Sequence, residues 1–296
     1  MMSIDTFLAV ASGGLVLGAI YALMAAGLAV VWTTLGIFNF GHGTFIAAGA
    51  YIGWQIADRE AAGLGLALGI LGATAALFVL GVIFQLILVR PFERRGDIVT
   101  ASVITTLAGA TILESAINLI WGPRSKQLSR IVESEVSAGP VVLAANDLIL
   151  ILMAAATLGS VGWFLIATRT GRAMRAVAQN REAAELIGLH VARLYAGAFG
   201  LSAAMAGLAG IFVGSMRFMT PTMGTDPLMK ALIVVIFGGV ARFTSPIYAA
   251  LLIGMLESFS NYLVGLYWTP AVLFAVMITV LILRPAGLFG QHQRTL

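Results

Sequence analysis

Nine apolar blocks, separated by glycine, proline and charged residues, run along the chain near residues 7–32, 43–57, 64–89, 98–121, 145–167, 192–216, 228–241, 245–266 and 268–283. A bilayer core of roughly 30 Å takes about 20 apolar residues at 1.5 Å each, and a segment in lipid must satisfy its backbone internally. The pattern therefore predicts an all-α, polytopic helical membrane protein forming one transmembrane domain over residues 1–296. The seventh block differs, because only 11 uncharged residues separate Lys230 from Arg242 and Gly238-Gly239 lies among them. It predicts a half helix or re-entrant segment, so the expected number of spans is eight or nine.

Composition sharpens this picture. Hydrophobic residues make up 60% of the 296 and charged residues 10%, against roughly 25% charged in a soluble domain. Residues 6–57, 61–89, 148–168, 194–216 and 258–283 carry no charge at all. The absence of cysteine excludes disulfides, thiolate nucleophiles and cysteine-ligated metals. Asp5 stands where a signal peptide would be basic, and the apolar stretch after it exceeds a signal core, so the first span is expected to stay in the mature protein.

The net charge of +4 does not indicate a nucleic-acid partner, because the arginines sit in short loops between spans. Alternating the spans puts Arg90, Arg94, Arg95, Arg169, Arg172, Arg175, Arg181, Arg193, Arg242, Arg284 and Arg294 on one side, and Arg59, Arg124, Lys126, Arg130, Arg217 and Lys230 on the other. The excess assigns the first side, with the C-terminus, to the cytoplasm, and puts the N-terminus outside if all nine blocks cross. Trp32, Trp54, Trp121, Trp163 and Trp268 all fall at predicted span ends, the depth such rings prefer. The outer loop 122–144, with Gly122-Pro123 and Gly139-Pro140, reads as a solvated connector or a contact for an external partner. A short echo links Leu113-Glu114-Ser115-x-x-Asn118 with Leu256-Glu257-Ser258-x-x-Asn261, as in transporters built from repeats.

Residues 169–193 form the most informative loop. Met174, Val177, Ala178 and Arg181 recur at helical spacing and Ala184, Ile187 and Gly188 continue it, predicting short cytoplasmic helices with a smooth apolar stripe and basic flanks. Small side chains let another surface approach closely, and arginines anchor such an element on carboxylates or lipid phosphates. Glu182-Ala183-Ala184-x-x-x-Gly188 resembles the coupling signature of the membrane subunits of ATP-binding-cassette (ABC) importers. Gly18-Ala19-Ile20-Tyr21-Ala22-Leu23, Gly36-Ile37-Phe38-Asn39-Phe40-Gly41-His42-Gly43, Gly238-Gly239 and Arg284-Pro285-Ala286-Gly287-Leu288-Phe289-Gly290 agree with it. Together they resemble the permease family of the branched-chain amino acid importers over residues 13–290. That resemblance implies a bacterial inner-membrane permease coupled through Gly171, Arg172, Arg175, Glu182, Ala183, Ala184 and Gly188. It also implies two separate ATPase subunits, a second similar permease subunit and an external solute-binding protein. The two lysines, Lys126 and Lys230, follow Ser125 and Met229, so no phosphate-binding Gly-Lys-[Ser/Thr] loop exists here and ATP belongs on the partner subunits; no cofactor is expected in this chain.

Polar residues between and within the spans are the candidates for the translocation path. Gly36, Gly41 and Gly43, flanking Asn39 and His42, predict a break that lines the path and exposes backbone N–H groups able to bind an anion such as a substrate carboxylate; the competing reading is a tight interfacial loop whose His42 bonds a carbonyl. Glu114 with Asn118, and Glu257 with Asn261, share helix faces at i, i+4. A carboxylate at bilayer depth costs roughly 2.5–3.5 kcal/mol on insertion scales, so these faces are expected to point inward, toward a substrate ammonium or into helix packing. Ala203, Ala206, Gly207 and Gly210 form a small-residue face suited to close packing. Urea, short amides and other small carboxylates remain alternative substrates within the family. A secondary transporter or channel fits the composition but has no use for a docking element, and His42, His190 and His292 assemble no catalytic constellation.

Overall fold

The computed structural model describes residues 3–59, 65–93, 98–128, 134–138, 141–239 and 243–290; Arg94, Arg95, Arg130, Gly139-Pro140, Arg242, His292 and Arg294 lie outside the described residues. Each of the nine apolar blocks is a helix. They are α1 (Ile4–Leu35), α2 (His42–Arg59), α3 (Gly65–Phe84), α4 (Ile98–Trp121), α5 (Ala145–Ala167), α8 (Val191–Met216), α9 (Thr225–Gly238), α10 (Ser245–Val264) and α11 (Thr269–Leu283). Two short helices, α6 (Arg169–Gln179) and α7 (Arg181–Leu186), fill the basic loop. The end of α3 loosens into a π turn, Gln85–Val89, and a 3-10 turn, Arg90–Phe92, with Pro91 near its start. Proline also opens α10 and α11, where its missing N–H has no intrahelical acceptor to lose.

Among the described residues, six helices are long and apolar enough to cross a bilayer: α1, α3 with its continuation, α4, α5, α8 and α10. The count of eight or nine spans thus depends on α2, α9 and α11, of 18, 14 and 15 residues. At 1.5 Å per residue, α9 is about 21 Å long, short of a core of roughly 30 Å, as a half helix would be. The expected connector 122–144 carries more order than the sequence indicates. In it β1 (Glu135–Ala138) pairs antiparallel with β2 (Val141–Ala144), Glu135 opposite Ala144, a small departure from the all-α pattern.

The chain divides into two compact units, and α1, α5 and α9 contribute to both. Unit 1 comprises Met1–Ala26, Arg130–Leu158 and Lys230–Leu296. There α1 and α10 cross at glycines: a Cβ on Gly254 would lie 2.3 Å from Gly18 N, and one on Gly18 would lie 3.0 Å from Leu251 Cα. The blocks Gly238-Gly239 and Arg284–Gly290 close on each other. Leu288 N donates to Phe237 O at 2.8 Å and Phe289 N to Gly238 O at 3.2 Å, pairing the last carbonyls of α9. Gly239 and Gly287 both adopt φ of +83°, a conformation that glycine takes without strain.

Unit 2 comprises Gly27–Ser129 and Gly159–Met229. Its centre is α8, packed by α2 and α3 through its small residues. Ala203 and Ala206 are fully buried, a Cβ on Gly207 would lie 2.9 Å from Leu77, and one on Gly210 would meet the Ile46 carbonyl at 1.9 Å. Close backbone approach maximises dispersion contact where lipid gives no hydrophobic drive for association. On the loop beside it, Lys126 and Met219 exchange backbone hydrogen bonds of 3.0 and 2.7 Å, and Lys126 Nζ lies 4.1 Å from the Trp54 ring.

Candidate functional site

The glycine-rich break comes first in the chain. Gly36 leaves α1 at φ +71°, and α2 begins at His42. Asn39 organises the turn: its Oδ1 accepts Gly41 N–H at 3.0 Å and its carbonyl accepts His42 N–H at 3.1 Å. Phe40 N–H donates to Thr106 Oγ1 on α4 at 3.2 Å. The three N–H groups after Asn39 are therefore engaged within the chain, and the arrangement differs from the open anion cradle expected of this glycine density. Asn39 and His42 are fully buried, with His42 Nδ1 3.3 Å from Ser202 Oγ of α8. Gly41 and Gly43 do not take positive φ; both are needed for proximity instead. A Cβ on Gly41 would lie 2.8 Å from the Phe84 ring, and one on Gly43 would lie 2.3 Å from the Gly224 carbonyl. Asn39 Nδ2 is buried without an acceptor among the described residues, so this packed corner holds a polar group at a cost.

The basic loop begins at Thr168, whose Oγ1 accepts Gly171 N–H at 3.0 Å and so caps α6. Gly171 packs on the last turn of α5, where a Cβ would lie 2.3 Å from Phe164 O. Asn180, at φ −156° and ψ 107°, ends α6, and its side chain accepts Ala183 N–H at 2.9 Å to start α7. Met174, Val177 and Ala184 are buried, and Val177 and Ala184 pack with Val191 and Tyr195 of α8. The stripe read as a docking face thus divides: these residues hold the loop on its own chain. Glu182, Ala183 and Gly188 are exposed, as are Leu186 at 88% and Ile187 at 74%, and Gly188 closes the turn at φ +83°.

Arg181 fixes α7 from behind. Its Nη1 donates to Glu93 O at 3.0 Å, its Nε to Glu185 Oε1 at 3.1 Å, and its guanidinium lies 5.6 Å from the Tyr195 ring. Burial works against its charge, but the Glu185 hydrogen bond and the nearby Tyr195, Glu185 and Glu93 outweigh it and hold its pKa above the ordinary value. Gln85, in the π turn, in turn donates to the Glu93 carboxylate. The exposed face of α7 therefore stands on a hydrogen-bonded base that reaches the end of α3.

The intramembrane carboxylates find different settings. Glu257, only 4% exposed, accepts Lys230 Nζ at 2.8 Å and Tyr21 O–H at 2.6 Å, and Lys230 Nζ also lies 3.0 Å from the Tyr21 oxygen. Asn261 is half-buried, its Oδ1 without a donor among the described residues. Glu114 is half-buried and Asn118 exposed. Sequence reasoning placed Lys230 at an outer boundary and passed over Tyr21. The available signal was that Lys230 is the lone charge between Asp226 and Arg242, and a lone cation beside a membrane helix needs a partner.

The chain matches the family described as branched-chain amino acid transport system / permease component over residues 10–281. It is 27% identical over 293 residues to the high-affinity branched-chain amino acid transport system permease protein LivH of Salmonella typhimurium, covering 95% of this chain and 94% of that protein. Identity to the corresponding protein BraD of Pseudomonas aeruginosa is 28% over 294 residues, with the same coverage of 95% and 94%. Identity to the permease protein LivM of Escherichia coli is 27% over 298 residues, covering 91% of this chain and 67% of that protein. A match spanning nearly all of the helical body, from α1 to α11, settles the class: this multi-pass membrane protein belongs to the family of branched-chain amino acid transport permease components.

Proposed function

We propose that this chain is the transmembrane permease subunit of an ATP-driven ABC importer for branched-chain or related hydrophobic amino acids in a bacterial inner membrane, with its C-terminus in the cytoplasm. The observation that carries the reading is the match over residues 10–281 to permease components of that transport system. Likeness to relatives named LivH and LivM supports a complex with two similar permease subunits. Two ATPase subunits and an external solute-binding protein complete it, and ATP is hydrolysed on those ATPase subunits.

Within this reading α7 is the docking element. An ATPase groove would receive Ala183, Leu186 and Ile187, with Glu182 at the edge, while Arg181 and Ala184 transmit force into the body through Glu93 and α8. The buried corner at Asn39, Gly41, His42 and Gly43 then acts on the path by moving, because the N–H groups of Phe40, Gly41 and His42 are engaged. Glu257 and Asn261, with Lys230, are the polar groups that a passing zwitterion would meet in unit 1, and Glu114 with Asn118 the corresponding pair on α4.

The test is Ile187→Asp, which places a charge on an exposed position and leaves the buried contacts of α7 intact. Co-purification of the ATPase should fall at least tenfold, with the protein still inserted and monodisperse. Leucine uptake into reconstituted vesicles should be lost with it. Unimpaired ATPase binding and uptake by Ile187→Asp would overturn the docking assignment.

A further inference from the structure

The corner where α5 meets α6 holds arginines that the docking face of α7 does not use. Arg172 donates through Nη1 to Ala167 O at 2.9 Å, and Arg175 through Nη2 to Ile166 O at 3.3 Å. Both guanidinium groups are thereby fixed on the last carbonyls of α5, the negative end of that helix. A guanidinium has five N–H donors, and these bonds occupy one on each. Arg169, Arg172 and Arg175, spaced three apart on α6, are all exposed, whereas Gly171, Met174 and Val177 on its other side are buried.

Beside those carbonyls, Trp163 and Ile166 share a face of α5 at i, i+3 and are 67% and 64% exposed. The helix they end is 23 residues long, apolar and mostly uncovered by the rest of the chain. A lipid-length apolar helix, an exposed tryptophan in its penultimate turn and a fixed fork of arginines above it reproduce the vertical order of a phospholipid: acyl chain, glycerol, phosphate. The arginine fork matches phosphate geometry in a way that a diffuse positive charge does not.

We propose that the α5–α6 corner is a binding site for an anionic phospholipid, whose phosphate is taken by Arg172 and Arg175, with Arg169 adding charge, and whose glycerol and upper acyl chain lie on Trp163 and Ile166. The site removes Arg172 and Arg175 from the ATPase contact that the family resemblance implies for them. It holds α6, and through Asn180 the start of α7, at a fixed height relative to the bilayer surface. It is independent of which solute the protein carries.

The experiment uses the assembled complex with its ATPase subunits, exchanged into equal amounts of phosphatidylglycerol and phosphatidylcholine and examined by native mass spectrometry for retained lipid. The unmodified complex should retain phosphatidylglycerol preferentially. Arg172→Gln should lower that retention about fivefold, and Arg172→Gln with Arg175→Gln more than tenfold. Trp163→Ala should lower it too, whereas Arg193→Gln, an equal loss of charge elsewhere, should not. Arg172→Lys with Arg175→Lys keeps the charge but not the fork and should fall between; it also decides the matter if the double glutamine variant does not fold. Retention unchanged in the glutamine and lysine variants would overturn the site, as would equal retention of phosphatidylcholine. So would glycerophosphoglycerol displacing the lipid as well as the lipid itself, which would mean a small-anion site. Loss of the ATPase with lipid retention unchanged would assign the arginines to a protein carboxylate and overturn it equally.

Discussion

α4 and α10 carry the same short pattern, Leu-Glu-Ser followed three residues later by Asn, in opposite circumstances. On α10 the glutamate is buried and held by a lysine and a tyrosine, and Ser258 Oγ donates to Val10 O at 2.6 Å. On α4, Ser115 and Asn118 are exposed and Glu114 is half-buried. The contrast shows that the sequence pattern alone does not set a carboxylate's energetics. Glu257 is stabilised from within the chain, where breaking a buried pair costs far more than the pair contributes. Glu114 takes its stabilisation from whatever covers α4, and most of that helix is open.

Lys230→Met tests this contrast most strongly. It leaves Glu257 buried with Tyr21 as its one remaining hydrogen-bond donor among the described residues, and the chain should lose about 3–5 kcal/mol against denaturant in detergent. Adding Glu257→Leu should recover most of that loss; a single variant as stable as the unmodified chain would break the comparison. Gly254→Ala comes next, since its Cβ would press on Gly18 N, and a loss of about 1–3 kcal/mol is expected in the same assay. Gly159→Ala, where a Cβ meets nothing within 4 Å, should instead be neutral or gain up to about 1 kcal/mol. The smallest effect belongs to Glu114→Gln, which should change the isolated chain's stability by no more than about 0.5 kcal/mol. A loss comparable to that of Lys230→Met would show that Glu114 is stabilised inside the chain after all.

Helices were legible wherever hydrophobicity alone decides them, because length and composition dictate a helix in lipid. The division of the basic loop at Asn180 was not, although an Asn that caps the next helix is a local signal; continuous 3.6-residue periodicity masked it. That masking also concealed which apolar residues face inward. Met174, Val177 and Ala184 look like Leu186 and Ile187 in sequence, and only the turn at Asn180 sorts them. The Tyr21–Lys230–Glu257 cluster joins positions 209 and 236 residues apart in sequence, so it depends on which helices are neighbours. Gly41 and Gly43 illustrate a related ambiguity: glycine serves both positive φ and close approach, sequence does not distinguish them, and here the need is close approach.

The clasp that closes α9 has a consequence for how the protein is made. The carbonyls of Phe237 and Gly238 are paired by Leu288 and Phe289, about 50 positions later in the chain. At about 5–20 residues per second, a ribosome takes several seconds to supply those donors. Until then these two carbonyls lack those donors, while α10 and α11 are still being made. The last turn of α9 is therefore completed by a segment, Arg284–Gly290, that is synthesised only after α10 and α11.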